Sequence, residues 1–311
     1  MKTMLIYTEG EMIGDGIILL PFLVALKKAL PHLRLTWLCE RKTVYTGVLS
    51  ELAAPLIDEF IELAPETLSL SLARSLRKRK FDAIIDTQRR VKKTLVLKTI
   101  PHRKFISSSA KYIFSSKRPR QKHERLVDNM FMWGNLSTGL ELQPEPVDLP
   151  PGDWDIVAGK VLPDGKDYIG FVPGAGQIHK KWKVENFVAL ARHCEGRGFV
   201  PVFFLGPMER ELEDVLKVGM PHAIFPNLSS PYLTIALGRR LKAAVANDSG
   251  GGHLLAAGGA RMVTLFRNDG VRRKFLPTAP RVVALTPEDF NVPHMEDIPL
   301  EAVRGALEEV L

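Results

Sequence analysis

The sequence predicts an α/β protein of two domains, each built on a parallel sheet. Short apolar runs of strand length alternate with longer helix-like stretches, a proline-rich segment interrupts that alternation near the middle, and glycine-rich turns follow several of the strand-like runs. At 311 residues the chain is long for one hydrophobic core and comfortable for two. A hydrophobic content of 45% with 25% charged residues is ordinary for a globular protein and excludes disordered and fibrous classes.

In the first half, residues 4–8 read as a buried strand, and after a glycine-rich turn residues 17–30 carry apolar side chains densely enough for a core helix, with Pro21 in its early part. Residues 33–39, 57–63 and 82–86 are further strands, and 68–79 is a helix-like stretch in which basic residues share the segment with Leu70, Leu72 and Leu76. Pro144, Pro146, Pro150, Pro151, Pro163 and Gly165 then mark the break. This places the first domain at 1–150, a linker at 151–166 and the second domain at 167–295. Beyond the break the alternation restarts: strand 168–172, helix 184–193, strand 200–205, helix 208–218, strand 243–247, helix 251–257 and strand 262–266. The segment 296–311 carries an amphipathic helix over 300–311, expected to pack back toward the hinge.

No run approaches the roughly 18 uncharged apolar residues that span a bilayer, since 17–26 is followed at once by Lys27 and Lys28. Residues 1–7 run into Glu9, Glu11 and Asp15 without a cleavage-type segment, so a cytoplasmic location is expected. Cys39 and Cys194 stand alone in apolar surroundings, which predicts buried thiols rather than a disulfide. The net charge of +8 and pI near 9.4 point to an anionic partner: nucleic acid, an anionic lipid surface or a phosphorylated substrate.

Three loops carry candidate chemistry, each at the carboxyl end of an expected strand, where open parallel sheets bind ligands. The first contains Gly10, Gly14, Asp15 and Gly16. Glycines on both sides of Asp15 let the backbone turn and aim a carboxylate, and the same spacing suits a helix N-cap. The glycines do not match G-x-G-x-x-G, and no Walker A lysine follows. The second loop, 173–183, combines Gly174 and Gly176 with Lys180, Lys181 and Lys183: small residues for close approach and cations for a phosphate, with Trp182 as a possible core anchor. Solvated lysines are the plain alternative. The third runs Asn247, Asp248, Ser249, Gly250, Gly251, Gly252, His253 and enters an apolar helix. A glycine-rich helix start presents unpaired N–H groups and the positive end of the helix dipole, which suits a pyrophosphate. Asp248 beside a phosphate would be repelled and is better placed on sugar hydroxyls; an Asx turn is the structural reading. His253 either donates to a phosphate or caps the helix.

Together the segments GDGIILLP, PGAGQIHKKW with VENFVALA, VFFLGPMERELE and NDSGGGHLLAAGGARMVTLF resemble glycosyltransferase family 9, the ADP-heptose:lipopolysaccharide heptosyltransferases, in order and spacing over nearly the whole chain. The resemblance implies a GT-B fold, in which two Rossmann-like domains with parallel sheets face a central cleft. It implies an inverting, metal-independent transfer of a sugar, heptose from ADP-heptose, to a lipopolysaccharide core-type acceptor, with no cofactor. Asp15 matches the family's general base, Gly14 and Gly16 flank it on the acceptor side, and Lys180 matches the lysine that stabilises the departing diphosphate. Gly174, Lys181, Asp248, Ser249, Gly250, Gly251, Gly252 and His253 fall on donor-binding positions. An Asp with an ordinary pKa of about 4 is ionised at neutral pH and needs no large shift for basic duty. Two departures stand out. Family members commonly carry Phe-Gly-Pro-Thr where Phe266 is followed here by Arg267, Asn268 and Asp269, and the run Gly250 to Gly252 replaces a proline or bulkier residue.

Most of the excess charge lies in the first domain, in a series from Arg74, Arg77, Lys78, Arg79 and Lys80 through Arg89, Arg90, Lys92, Lys93, Arg103, Lys104, Lys117, Arg118, Arg120, Lys122 and Arg125. It fits an anionic glycolipid acceptor at a membrane surface, and equally a set of solvated helix faces. Nucleic acid is not expected, because few aromatic residues interrupt the series and no nucleic-acid signature is present. The competing functions are a sugar-nucleotide epimerase or hydrolase of the same architecture and a non-catalytic binder of anionic saccharide or nucleic acid.

Overall fold

A computed structural model describes residues 1–121, 123–150, 152–206 and 209–311. Lys122 of the cationic series, Pro151 of the break and Met208 at the expected helix start lie outside the described residues, as does Pro207. The chain divides into two compact units, Met1–Leu149 and Pro150–Leu311.

The N-terminal unit is a five-stranded parallel sheet. Its strands are β1 (Thr3–Thr8), β2 (Arg34–Cys39), β3 (Glu59–Glu62), β4 (Phe81–Asp86) and β5 (His102–Ser107), in the order β3-β2-β1-β4-β5. The connections are α1 (Ile13–Ala29), α2 (Ser50–Ala53), α3 (Leu70–Ser75) and α4 (Val91–Lys98), and α5 (Leu126–Thr138) follows β5. Residues 17–20, 22, 23, 25 and 26 of α1 are all buried, so this helix is apolar nearly all round because it lies within the core. It starts at Ile13, four residues before the expected position, so the glycine-rich turn is partly helical. Gly16 is required there: a methyl group in its place would come 2.6 Å from Val44 Cγ2, and its carbonyl accepts a hydrogen bond from Tyr45 Oη at 2.8 Å.

The C-terminal unit opens with α6 (Trp154–Val161), inside the segment expected as a linker, which packs on α9 (Pro231–Gly238). Its sheet comprises β6 (Tyr168–Val172), β7 (Val200–Phe203), β8 (Leu241–Asn247), β9 (Arg261–Leu265) and β10 (Val282–Leu285), all parallel, in the order β10-β9-β8-β6-β7. The remaining helices are α7 (Val184–Gly196), α8 (Arg210–Gly219), α10 (Gly250–Ala257), α11 (Asp269–Phe275) and α12 (Leu300–Val310). One core joins Ile169, Phe171, Val245 and Val263 from the strands to Phe187, Leu190 and Ala191 of α7 and to Val303, Leu307 and Val310 of α12. The final helix thus buries its apolar stripe on the sheet of its own unit. Cys39 and Cys194 are buried and free, and burial pushes both thiols up to about 12. Among the described residues no helix is long and apolar enough to cross a membrane.

Candidate active site

Both sheets have the doubly wound order in which the connections change direction partway across, between β1 and β4 in one unit and between β6 and β8 in the other. Ligands bind outside the carboxyl ends of the strands at such a point. In the C-terminal unit the two loops that flank it are those after β6 and β8, the second and third loops singled out in the sequence. In the N-terminal unit the first loop leaves β1 there.

Asp15 lies in the first turn of α1, half-buried, where the helix dipole favours a negative charge. The N-cap is Met12 and makes no side-chain capping bond, so Asp15 is not the cap. The loop ahead of it is held by Glu11, a buried carboxylate that the sequence reading passed over. Its Oε2 accepts hydrogen bonds from Thr43 Oγ1 at 2.6 Å and Trp37 Nε1 at 3.2 Å. Those bonds tie the loop after β1 to β2 and its following turn, which steadies the start of α1. Gly14 sits half-buried beside Asp15 in the same turn, whereas Gly16 is buried against Val44.

The C-terminal unit brings most of the other sequence-predicted residues together. Lys180 Nζ meets Asp248 Oδ2 at 2.8 Å, an ion pair that bridges the loops after β6 and β8 across 68 residues of sequence. Asn247 locks the same loops at their base: its Nδ2 donates to the Pro173 carbonyl at 2.7 Å, and its Oδ1 accepts from the Trp182 N–H at 3.2 Å. Trp182 is buried, stacks edge-on to Phe187 and donates Nε1–H to the Ile298 carbonyl, so it anchors the lysine-bearing loop. Lys181 is half-buried next to it. Ser249 is the N-cap of α10, its Oγ accepting from Gly252 N at 3.5 Å. Gly250 and Gly251 form the half-buried first turn, whose N–H groups precede the first acceptor within the helix.

His253 is buried, and desolvation pushes its imidazole down to about 4, with Lys180 acting in the same direction and Asp248 opposing. It is neutral at physiological pH and offers one N–H donor rather than a positive charge. An unfolded chain takes up this proton near the ordinary 6.5, the folded protein only near 4. The folded state is therefore penalised progressively as pH falls from 6.5 towards 4, by about 3 kcal/mol at the lower end. Urea denaturation at pH 7 and pH 4.5 should show that loss in the parent chain and a smaller one in His253→Gln; equal losses would refute the assignment.

Two residues that the sequence reading did not assign belong to this cluster. Glu209 is buried, and a methyl group at Gly174 would come 2.6 Å from its carboxyl carbon, so glycine at 174 makes room for a carboxylate at the ends of β6 and β7. Such a group accepts hydrogen bonds from ligand hydroxyls. Its signal was within reach, because Glu209 comes three residues after the glycine that ends an apolar, strand-like run. Arg267, the first residue of the departure after Phe266, donates from Nη1 to His179 Nε2 at 3.1 Å. A guanidinium only donates, so His179 presents a lone pair at Nε2. Asn268 caps α11 by accepting from Val271 N at 2.9 Å, and Asp269 pairs with Arg272 and Arg273. That departure is therefore structural at 268 and 269 and faces the second loop only at 267.

Solved structures carry the same fold over their whole length. The chain is similar to a glycosyl transferase family 9 protein from Veillonella parvula (22% identity, TM-score 0.73, 99% of this chain and 97% of that one). It is similar to Escherichia coli heptosyltransferase WaaC bound to ADP-2-deoxy-2-fluoro heptose (18%, TM-score 0.70, 99% and 100%). It is also similar to E. coli ADP-heptose lps heptosyltransferase II (18%, TM-score 0.67, 100% and 98%). At these identities the likeness is one of fold, and with two Rossmann-like parallel sheets it defines the GT-B class. A search of curated proteins finds no sequence match. Residues 69–295 match the model of glycosyltransferase family 9 (heptosyltransferase), and the chain belongs to that family as a glycosyltransferase.

Proposed function

We propose that the protein transfers a sugar, heptose from ADP-heptose, to an anionic, lipid-linked saccharide of the lipopolysaccharide core type, with inversion and without a metal ion. The observation that carries this reading is the Lys180–Asp248 pair beside the start of α10 at the switch point of the C-terminal sheet. A cation beside helix N–H groups suits a diphosphate, and the neighbouring carboxylates suit sugar or ribose hydroxyls, which supports this reading. WaaC bound to a fluorinated ADP-heptose supports the choice of donor by analogy of fold and family.

In the proposed step the acceptor hydroxyl oxygen forms a bond to the anomeric carbon while its proton passes to the Asp15 carboxylate. The bond from that carbon to the diphosphate oxygen breaks, and its electron pair leaves on the nucleoside diphosphate. Lys180, with Lys181 and the N–H groups of Gly250 and Gly251, meets the charge that develops there. Asp248 and Glu209 hold hydroxyls, Ser249 and Gly252 fix the helix start, and neutral His253 donates its single N–H. Gly174 keeps the backbone close to the donor, and Gly14 leaves room beside Asp15 for the acceptor. Gly16 acts through packing, by holding α1 against Val44 and Tyr45.

A calorimetric comparison of ADP-, UDP-, GDP- and CMP-sugars without added metal tests the donor. Binding of the ADP-sugar alone is expected, and binding of only a UDP-sugar that requires a divalent cation would overturn it.

A further inference from the structure

Positions 87–123 contain twelve Lys or Arg and no Asp or Glu. The structure turns part of this run into a continuous face. On α4 the exposed residues are Val91, Lys92, Leu95 and Lys98, one helical stripe, while Thr94 and Leu97 on the opposite side are buried. This helix contacts both α3, where Leu70 and Arg74 are exposed, and the turn Ser109–Tyr112, which is followed by exposed Ile113. Lys98 Nζ joins α4 to that turn through the Phe114 carbonyl at 3.2 Å.

An interior stripe explains one half of α4 but not the other, where aliphatic side chains alternate with lysines. Leu95 is 48% exposed and Ile113 63%. Of the carboxylates on the N-terminal flank of the run, Asp86 is fully buried, and Asp82 accepts from the N–H groups of Lys2 and Thr3 and pairs with Arg103, away from α4. Lys93 and Arg90 are held by Glu40, whereas Arg89, Lys92, Lys111, Lys117 and Arg118 face solvent.

We propose that this face of α3, α4 and the turn after β5 docks onto a bilayer surface that contains anionic phospholipid. Lysines meet the headgroups, and Val91, Leu95, Ile113 and Leu70 enter the boundary between headgroup and acyl chain. Nucleic acid fits the charge but not the rest of the face, because stacking platforms are missing from it: Phe105 and Tyr112 are buried and Phe114 is half-buried. The inference deepens the proposed function, which gives a reason for a lipid-bound acceptor. Its test needs neither donor nor acceptor, so failure of one reading is distinguishable from failure of the other.

The full-length protein is sedimented with phosphatidylcholine vesicles that do or do not contain phosphatidylglycerol. Binding is expected only to the anionic vesicles, falling several-fold as salt is raised past the range where exposed charges are screened. Lys92→Glu and Lys111→Glu should each weaken it about fivefold or more, and Leu95→Ser with Ile113→Ser by about tenfold. Donor binding by calorimetry and thermal melting should be unchanged, since these side chains are exposed; should one variant melt early, the other pair still decides. Equal binding to neutral vesicles, unchanged binding of both pairs, or binding of an oligonucleotide but of neither kind of vesicle would overturn the proposal.

Discussion

Asp15→Asn should lower the turnover of sugar transfer about a thousandfold while leaving donor affinity within about twofold of the parent, since general-base catalysis typically contributes 10² to 10⁴. The amide keeps the size and hydrogen-bonding reach of the carboxylate but cannot take a proton, so the loss reports the proton transfer itself. Asp15 belongs to the N-terminal unit, and Lys180, Asp248 and α10 to the C-terminal unit, so the substitution leaves the proposed donor contacts in place. Its position also separates chemistry from folding. The N-cap of α1 is Met12, and the loop is held by Glu11 through Trp37 and Thr43. The variant should therefore melt close to the parent, within the roughly 0.3–1 kcal/mol that a first-turn charge contributes. Single-turnover kinetics with a saccharide acceptor would read the step. Retention of full activity would remove Asp15 from the mechanism, and loss of donor binding in proportion to rate would mean that it holds the protein together rather than the proton.

The alternation of strands and helices was legible because buried parallel strands are short, apolar and punctuated, and the switch-point loops announced themselves by glycine beside charge. What escaped has particular causes. The helix α4 and strand β5 were hidden by their own cations, since VKKTLVLK exposes two of its aliphatic residues and HRKFIS is apolar only at its end. The helix α9 is buried along its whole length and so has no polar face to give a period, and β10 is a half-buried edge strand of four residues. The start of α1 was displaced because Gly14 and Gly16 lower local helix propensity, a preference that packing under Val44 and Tyr45 overrides. For the site, each loop could be read locally but their pairings could not. Lys180 finds Asp248 across 68 residues and Arg267 finds His179 across 88, distances in sequence at which charge pattern carries no register. The assignments of Lys180 to phosphate and Asp248 to hydroxyls were made separately, and the structure joins them in one ion pair.

That pairing sharpens what removal of Lys180 should do. With the donor absent, Lys180 and Asp248 neutralise each other, with side chains about one quarter and less than one tenth exposed. Lys180→Ala would leave Asp248 without its cation and cost on the order of 1–3 kcal/mol of stability, less than a fully enclosed pair would because water reaches the lysine. Asp248→Asn should cost less, since the amide still accepts a hydrogen bond from Lys180. Stability alone therefore cannot tell a structural bridge from a catalytic cation, but a double-mutant cycle can. If Lys180 acts only by neutralising Asp248, the combined variant Lys180→Ala with Asp248→Asn, whose amide oxygen still accepts from hydroxyls, recovers both melting temperature and transfer rate relative to Lys180→Ala. If Lys180 meets the charge on the leaving diphosphate, the double variant recovers stability while its turnover stays about 10² to 10³ below the parent, the loss expected when one preorganised donor is removed from a developing anion. The second outcome is the expected one. The geometry gives the reason: the ion pair already holds the ammonium on Asp248, the residue before the N-cap of α10, so under the proposed mechanism the cation need not be ordered when the bond breaks.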